Sequence, residues 1–460
     1  MPLRALLFSL LAVVGTPSAR AAEPNWDQVT REAAALLSGY IRIDTQNPPG
    51  ATAQAAAFLA AELQRAGIAW ETLGASPEKP ILVARLPGRG PARKPIVLLN
   101  HMDVVPAEPA RWSFPPLSGE IRDGVIYGRG AIDMKGLGIA MLMAMRLLAE
   151  RGEQPERDLI FLAVPDEEVG GIEGTGWLAR HRADLLDAEA VWDEGGSGIT
   201  DLLPVPALLI SVAEKQLLWL KLIAEGPAGH GSRPFPGAAP RRLTQALTRV
   251  LDNPPAPRLT PISRRVFQRV GKQVDGLEGL ALRRLNNPVV WLFADGLLAH
   301  EPWTAAMTRD TVSLTMLDAG YKPNVIPERA EAVLDCRLLP GSKPQAFVDQ
   351  LRKVIDDPGI RIEVLQAPDA TPPSPTDTPL FIAMRRAAAA AYPGVVITES
   401  MTIGATDSRF FRQRGVPAYG FFPVLLPKDV ISTVHGVDER IPVNALGTAV
   451  RVIYNALRTM

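Results

Sequence analysis

The sequence predicts a three-layer α/β domain with a mainly parallel sheet, interrupted by a smaller α+β domain. Apolar strands alternate with helix-patterned segments in the first half of the chain, as in parallel α/β domains. After residue 210 the pattern changes, and the run 217–224 alternates as an antiparallel strand does. The chain has 460 residues, of which 47% are hydrophobic. This length suits two domains, and this composition suffices for large cores.

The elements of the first half follow from apolar periodicity. Helical spacing predicts helices over 26–38 and 51–66, and alternation predicts a strand over 81–86. Short, fully apolar runs predict buried strands, and a glycine-flanked segment predicts a hairpin at 124–128. The buried strands are 95–100, 158–164 and 188–192, and helices are predicted from 130 to 150 and from 174 to 181.

The second half changes character. Strands are predicted over 217–224, 311–317, 330–338 and 360–365, with helices over 240–251 and 344–355. Residues 253–308, rich in Pro, Arg and Leu, predict an added helical segment. The Pro-rich stretch 366–379 predicts a linker that leads into a helix over 380–392. We therefore expect a first domain built from 22–211 and 367–460, with the α+β domain at 212–366.

The N-terminus has the pattern of a signal peptide. Arg4 supplies a positive charge, and the apolar run 5–14 is too short to span a bilayer. Small residues at Ala19 and Ala21 predict cleavage after residue 21, and hence a periplasmic or secreted protein. The alternative is an anchor that stays uncut. The single cysteine, Cys336, excludes an internal disulfide and is expected to be a small core residue.

Charge composition argues against several classes of partner. Lys plus Arg and Asp plus Glu both number 49, without a basic stripe. We therefore expect no nucleic-acid binding. Because no later segment is long and apolar enough to span a bilayer, we also expect no membrane association after signal cleavage.

Histidine and carboxylate motifs follow three of the predicted strands. They are His101–Met102–Asp103, Asp166–Glu167–Glu168 and Asp193–Glu194, with Asp133 and a late His435 elsewhere. Sites of open α/β sheets form beyond the carboxyl ends of strands, so these side chains are expected to converge. Imidazole and carboxylate are ligands that zinc prefers, and a shared carboxylate can bridge two ions. The pattern therefore predicts a hydrolase with two metal ions.

Each motif residue has an expected role in such a centre. His101 and His435 would each bind one ion, Asp133 would bridge the two, and Glu168 and Glu194 would each complete one site. Asp193 also ends its strand and could reach a metal, although Glu194 is favoured. Asp103 would orient the imidazole of His101.

Adjacent glutamates can divide two tasks. Because Glu167 and Glu168 are neighbours, one can bind metal while the other faces the substrate as a general base. Taken alone, adjacent acids usually belong to a solvated surface. Their position after an apolar strand and before Gly170 and Gly171 favours a site.

Three residues of the α+β domain are candidates for substrate contacts. His230, in Gly229–His230–Gly231–Ser232, could donate to a developing oxyanion, or could be an ordinary loop histidine. Arg337 suits bidentate binding of a substrate carboxylate, with a structural ion pair as the alternative. Asn324 could add a donor.

These motifs resemble those of the zinc-dependent aminoacylase and carboxypeptidase S family, which includes succinyl-diaminopimelate desuccinylase and carnosinase-type dipeptidases. The matching stretches are LLNHMDVVP, GRGAIDMKG, VPDEEVGG, WDEGG, GHGS, NVIP, GATDSRFFRQRGVPA and VHGVDER. The added segment 253–308 and the stretch TMLDAGYKPNVIP are more similar to the carboxypeptidase S branch.

The resemblance implies a function and a distribution of roles. Zinc would be bound by His101, Asp133, Glu168, Glu194 and His435, with cobalt or manganese as other possible ions. Glu167 would be the general base acting on zinc-bound hydroxide. His230, Asn324 and Arg337 would contact the transition state or the substrate carboxylate.

The substrate would be an N-acyl amino acid or small peptide with a free carboxylate. The α+β domain would act as a lid and would be the interface of a possible homodimer, since in dimeric relatives the lid histidine comes from the partner subunit. The alternative function is a non-catalytic periplasmic protein that binds metal or peptide on the same scaffold.

Overall fold

The computed structural model describes residues 23–90 and 92–460. The predicted signal peptide therefore lies outside the described residues. Along the described ranges, no helix combines the length and the apolar character needed to cross a membrane.

The helices are numbered in chain order. They are α1 (Trp26–Ile41), α2 (Ala53–Arg65), α3 (Lys135–Glu150), α4 (Thr175–His181), α5 (Ala239–Asp252), α6 (Pro261–Gly271), α7 (Gly276–Arg283), α8 (Pro288–His300), α9 (Pro302–Thr308), α10 (Pro344–Ile355), α11 (Pro379–Ala391), α12 (Ser408–Arg412), α13 (Lys428–Ile431) and α14 (Val443–Leu457).

The strands are numbered in the same way. They are β1 (Ala69–Leu73), β2 (Ile81–Leu86), β3 (Ile96–His101), β4 (Ile121–Arg122), β5 (Val125–Tyr127), β6 (Leu159–Val164), β7 (Ala190–Asp193), β8 (Gly198–Ile199), β9 (Ala207–Glu214), β10 (Gln216–Glu225), β11 (Gly229–His230), β12 (Thr311–Ala319), β13 (Val325–Ile326), β14 (Arg329–Leu338), β15 (Ile360–Gln366), β16 (Val396–Thr402), β17 (Ala418–Gly420), β18 (Leu425–Leu426) and β19 (Arg440–Pro442).

A large, mainly parallel sheet forms the centre of the first unit. Its strand order is β1-β2-β6-β3-β7-β17-β9-β8-β18, with β16 paired to β9. Strand β3 runs parallel to both β6 and β7, so the carboxyl ends of these three strands meet. Helices α1, α3, α11 and α14 contribute to the core on one face, and α4 and α12 to the core on the other. This is the predicted three-layer α/β architecture.

A four-stranded antiparallel sheet forms the second unit. Its order is β12-β14-β10-β15, and helices α5 and α10 bury their apolar faces against it. Strand β14 alternates exposed or half-buried with buried residues along its whole length, as an antiparallel strand with one solvated face does. The single cysteine, Cys336, is buried in this core. The exact domain boundaries remain a sequence prediction.

The added helical segment packs on the first unit. Helix α6 contributes Val266 and Val270 to the core of the large sheet. Arg265 and Arg269 form ion pairs with Glu399 of β16 at N···O distances of 2.6 and 3.1 Å. Although residues 253–308 lie within the second unit in sequence, this part of the segment is held against the first.

Local sequence signals explain where several helices begin. The Asn25 side chain accepts a hydrogen bond from the backbone N–H of Gln28 and caps α1. Thr260 and Ser263 form a capping box at the start of α6. Proline follows the cap at the start of α6 and α11, where its missing N–H costs no helical hydrogen bond.

The predicted bounds differ from the observed ones chiefly at α3 and at the C-terminus. The helix predicted from residue 130 begins at Lys135, because the preceding residues form a turn. Strands β9 and β16 and the long helix α14 received no bounds from the sequence. Strand β2 and helix α10 have the predicted bounds.

Candidate active site

Three neighbouring strands deliver most of the candidate metal ligands. His101 is the last residue of β3, Glu168 lies in the turn after β6, and Glu194 directly follows β7. Asp133 comes from the turn before α3, and His435 from the loop between α13 and β19. The structure therefore brings together five side chains that are up to 334 residues apart in sequence (101 to 435).

The five side chains form two groups that share Asp133. One group is His101, Asp133 and Glu194, and the other is Asp133, Glu168 and His435. Asp133 Oδ1 lies 3.1 Å from His101 Nε2, and Asp133 Oδ2 lies 3.1 Å from His435 Nε2. Each oxygen of one carboxylate therefore faces a different histidine, which is the arrangement that a bridging ligand requires.

The remaining carboxylates complete each group. Glu194 Oε1 lies 3.6 Å from His101 Nε2, and Glu168 Oε2 lies 3.3 Å from His435 Nε2. Asp193, the alternative to Glu194, accepts a hydrogen bond from Ser408 Oγ at 2.7 Å. The geometry thus favours Glu194 as the ligand and gives Asp193 a supporting contact.

The electrostatics of the cluster favour bound cations. Burial and the charge of Asp133 raise the pKa of Glu168 and of Glu194 above the usual glutamate value. Hydrogen bonds to Asp133 and Glu168 raise the pKa of His435 to about 10. For the two glutamates burial is the larger cause and the negative charge of Asp133 the next, and a bound divalent cation would offset both.

The donor set fits two divalent metal ions. One oxygen of Glu168, Oε1, is buried and lacks a hydrogen-bond partner. Buried carboxylate oxygens are normally satisfied, and metal coordination is one way to satisfy them. Two imidazoles and three carboxylates arranged in two groups would hold the ions.

The structure differs from the prediction in how Asp103 supports the site. His101 Nδ1 lies 2.9 Å from the backbone carbonyl of Asp103, whereas the carboxylate Oδ1 is 3.7 Å away. The buried carboxylate instead accepts the backbone N–H groups of Glu167 and Glu168, each at 3.2 Å. It also accepts from Asn47 Nδ2 at 2.8 Å. Asp103 therefore positions the Glu167–Glu168 turn as well as the histidine.

Glu167 lies beside the metal groups without belonging to them. It begins the 3-10 turn Glu167–Val169, and the αL backbone of Asp166, with φ of 76°, sets the direction of this turn. Burial and the nearby charge of Glu194 raise the pKa of Glu167 well above its usual value. A carboxyl group that binds a proton this readily has the property expected of a general base.

Sequence reasoning missed Glu439. This fully buried carboxylate accepts the backbone N–H of Ile132 at 2.8 Å and that of Asp133 at 3.1 Å. It also pairs with Arg129 at 2.7 Å. Glu439 thus fixes the turn that carries Asp133, and its place in the motif VHGVDER was the available signal.

The second unit holds the three remaining candidates. His230 and Val325 pair between β11 and β13, and the backbone carbonyl of Asn324 accepts the Gly231 amide at 2.8 Å. Arg337 pairs with Asp335 at 2.8 Å, which is the structural ion pair predicted as its alternative role. Among the described residues, none of these three side chains forms a hydrogen bond or ion pair with the carboxylate cluster.

The comparisons with known proteins identify the family. A model described as peptidase family M20/M25/M40 matches residues 97–459. The chain belongs to this family. This confirms the family predicted from the sequence motifs, and it makes the protein a metal-dependent hydrolase of the metallopeptidase and amidohydrolase type.

Several M20 relatives match most of the chain. The human N-fatty-acyl-amino acid synthase/hydrolase PM20D1 is 33% identical over 387 residues, with 81% of this chain and 75% of the relative covered. Aminoacylase-1 of Sus scrofa is 30% identical over 418 residues, with 88% and 89% covered. The probable carboxypeptidase S-like 2 of Dictyostelium discoideum is 30% identical over 391 residues, with 82% and 74% covered.

Two solved structures share the fold. The metallo-carboxypeptidase of Sulfolobus solfataricus superposes with a TM-score of 0.71 at 21% identity, covering 93% of this chain and 99% of its own. Human carnosine dipeptidase 1 gives a TM-score of 0.66 at 16% identity, covering 94% and 97%. The predicted α/β fold class is thereby confirmed.

The shared position of Asp133 predicts unequal effects of two ligand substitutions. In Asp133→Asn both groups lose a charged ligand, so we expect less than one metal ion per chain. In Glu194→Gln one group is intact, so we expect about one tightly bound ion. Metal content after dialysis against metal-free buffer, measured by mass spectrometry, gives both values.

The matched control is Asp184→Asn, which removes an exposed carboxylate paired with Arg182. It should bind as much metal as the unmodified protein. Retention of two ions by Asp133→Asn would contradict the bridging role.

Proposed function

We propose that the protein is an exported hydrolase with two zinc ions that cleaves the amide bond of an N-acyl amino acid or small peptide with a free carboxylate. The observation that carries this proposal is the Asp133 carboxylate shared by two ligand groups beside Glu167. The names of the relatives agree in chemistry, since they include an N-fatty-acyl-amino acid synthase/hydrolase, an aminoacylase and a carboxypeptidase S-like protein. The same donors would also accept cobalt or manganese.

The chain's own side chains divide the work of amide cleavage. Metal ions held by the two ligand groups around Asp133 would polarise the scissile carbonyl and lower the pKa of water. Glu167 removes a proton from the attacking water and then delivers it to the leaving amine. The Asp103 carboxylate accepts the backbone N–H groups of Glu167 and Glu168 and so holds the turn from which the Glu167 side chain extends.

The second unit supplies the substrate contacts in this proposal. His230 Nδ1 lies 2.8 Å from Ser232 Oγ, so we assign the other ring nitrogen to the developing oxyanion. Arg337, with Asn324 as a further donor, binds the substrate carboxylate. A homodimer through this unit, in which the partner could supply the histidine, stays a prediction.

Export rests on the N-terminal sequence alone. The charge at Arg4, the apolar run 5–14 and the small residues at 19 and 21 are the features that support it. We expect the protein made in a Gram-negative host to appear in the periplasm with a mature N-terminus at or near Ala22. N-terminal sequencing of the fractionated protein checks this, and an intact Met1 in the cytoplasm would contradict it.

Glu167→Gln separates catalysis from metal binding. The amide keeps the size of the side chain but cannot carry the proton, so turnover should fall by about 10²- to 10⁴-fold. Metal content should stay at the unmodified level, because Glu167 lies outside both ligand groups. Steady-state rates on the best N-acyl amino acid, with metal analysis of the same sample, provide the test.

Glu156→Gln is the matched control, since it alters an exposed carboxylate paired with Arg93. It should keep the full rate. If Glu167→Gln also keeps it, Glu167 is not the general base.

A substrate panel tests the proposed function directly. Zinc-loaded protein is assayed on N-acyl amino acids and dipeptides, each as the free acid and as the C-terminal amide. We expect activity on the acids, abolished by chelators, and at least about 30-fold less on the amides, because a desolvated carboxylate–guanidinium contact is worth about 2 kcal/mol or more. No turnover of any amide bond in the panel would refute the function.

Arg337→Met separates the two roles of this arginine. If Arg337 binds the substrate carboxylate, the substitution should reduce kcat/KM for the acid toward the value for the amide. The rate on the amide should stay unchanged. A purely structural pair with Asp335 would lower both rates by the same factor. Arg361→Met, which removes an exposed arginine of the same antiparallel sheet, is the control.

A further inference from the structure

A cavity of about 590 Å³ adjoins the metal-ligand cluster. Asp133 and Glu194 line it, and so do Pro302 and Trp303 at the start of α9. The cavity therefore connects the site of chemistry with the added helical segment. Its volume falls within the range of small-molecule binding sites.

The walls of this cavity are mainly apolar. Its side chains come from residues 194–209, from the start of α9 and from residues 422–434. The wall includes Ile199, Leu202, Leu209, Trp303, Phe422 and Ile431. Such a surface gains free energy when hydrocarbon displaces water from it.

The cationic side chain that lines the cavity, Lys428, already forms an ion pair within the protein. Its ammonium group forms an ion pair with Glu301, and its backbone N–H donates to Asp201 Oδ1 at 2.7 Å. Among the described lining residues no further Lys or Arg is present. A substrate α-carboxylate placed in this cavity would lose water without gaining a cation, which is costly. The amino-acid end of the substrate therefore belongs elsewhere.

One polar group in the wall has no protein partner. The Ser400 hydroxyl is buried, lines the cavity and lacks a hydrogen bond. It can bond a ligand oxygen or a water molecule without giving up an existing contact. It is compatible with an acyl ligand and supplies no charge for a carboxylate.

We propose that this cavity binds the hydrocarbon chain of the substrate's N-acyl group. The inference rests on the proposed function, because it assumes that the carbonyl reacts beside Asp133 and Glu194. From that point the acyl chain extends between the Gly195–Leu209 stretch and α13, and the amino acid lies on the other side of the scissile bond. The substrate class is thus an N-acyl amino acid with an extended aliphatic acyl chain.

The added helical segment sets the acyl-chain length in this arrangement. Trp303 forms part of the apolar wall, and the Glu301–Lys428 pair fastens the start of α9 to α13. Trp303 and Leu202 are therefore specificity-determining residues. Both are half-buried, and Leu202 lies in a loop, where a larger side chain is tolerated more easily than within a strand.

The test measures kcat/KM for N-acyl-phenylalanines from acetyl to dodecanoyl, each below the concentration at which it forms micelles. In the unmodified protein kcat/KM should rise by about fourfold per added methylene until the cavity is full, which corresponds to about 0.8 kcal/mol per CH₂. A parallel series of N-acetyl amino acids with alanine, leucine and phenylalanine side chains should show no comparable rise.

Two variants should shift the length preference in opposite directions. Leu202→Trp reduces the free volume, so the ratio of kcat/KM for dodecanoyl to acetyl substrate should fall by at least tenfold. Trp303→Ala enlarges the cavity and should move the best chain to a greater length. Leu277→Trp and Trp70→Ala make the same changes at exposed positions outside the cavity and should keep the ratio of the unmodified protein.

Several outcomes overturn the proposal. A flat dependence on acyl length does so without any variant. The proposal also fails if, in Leu202→Trp, the dependence of kcat/KM on the amino-acid side chain changes while its dependence on acyl length stays the same. Either result leaves the proposed function intact if N-acetyl amino acids are cleaved.

Binding gives a readout that does not need turnover. Calorimetry of the Glu167→Gln protein should show tighter binding and a more negative heat-capacity change for N-dodecanoyl- than for N-acetyl-phenylalanine, with the difference reduced in a Glu167→Gln/Leu202→Trp double variant. If no substrate is cleaved but this difference appears, the function fails and the cavity assignment stands. If both probes bind alike, the cavity assignment fails.

Discussion

The crowding of carboxylates around Asp133 is the constraint on which the rest of the site depends. Three parallel strands end side by side, and each delivers an acidic or imidazole side chain to the same place. Carboxylates buried this closely raise one another's pKa unless positive charge lies between them. The two histidines face opposite oxygens of Asp133, which divides the negative charge into two sites instead of one.

The backbone around the cluster is built to hold these charges at close range. Glu439 binds the turn before α3, and Asp103 binds the turn after β6, so two buried carboxylates support the loops that present the others. Gly420 lets β17 approach the residue after β7, because a Cβ atom there would lie 1.9 Å from the backbone oxygen of Glu194. A side chain at position 420 would push Glu194 away from His101. Such supporting contacts commonly decide how well a metal ligand is oriented.

The sequence predicted the parts of the site that follow from strand order and missed those that depend on loop packing. Glu168 and Glu194 were predictable because short apolar runs identify buried parallel strands, and sites form at their carboxyl ends. The support from Glu439 was missed because an acidic residue in a polar loop resembles a solvated charge, although its place in the motif VHGVDER was a signal. Spacing also could not show that His101 contacts the backbone carbonyl of Asp103, since residue order does not specify which oxygen turns inward. For a similar reason α3 was predicted too long, because Glu439 holds the Gly130–Asp133 backbone as a turn.

The added helical segment belongs to the second unit in sequence but packs partly against the first unit. Residues 253–308 lie between α5 and β12 of the second unit, yet Arg265 and Arg269 hold α6 against β16 of the large sheet. Because α9 follows in the same segment, Trp303 reaches a cavity whose other walls come from residues 132–209 and 400–434. The candidate metal ligands are positioned by strands and by turns with buried hydrogen bonds, whereas Trp303 of the cavity wall belongs to the added helical segment. Substitutions in the added helical segment could therefore change the proposed acyl-binding surface without moving the carboxylate cluster.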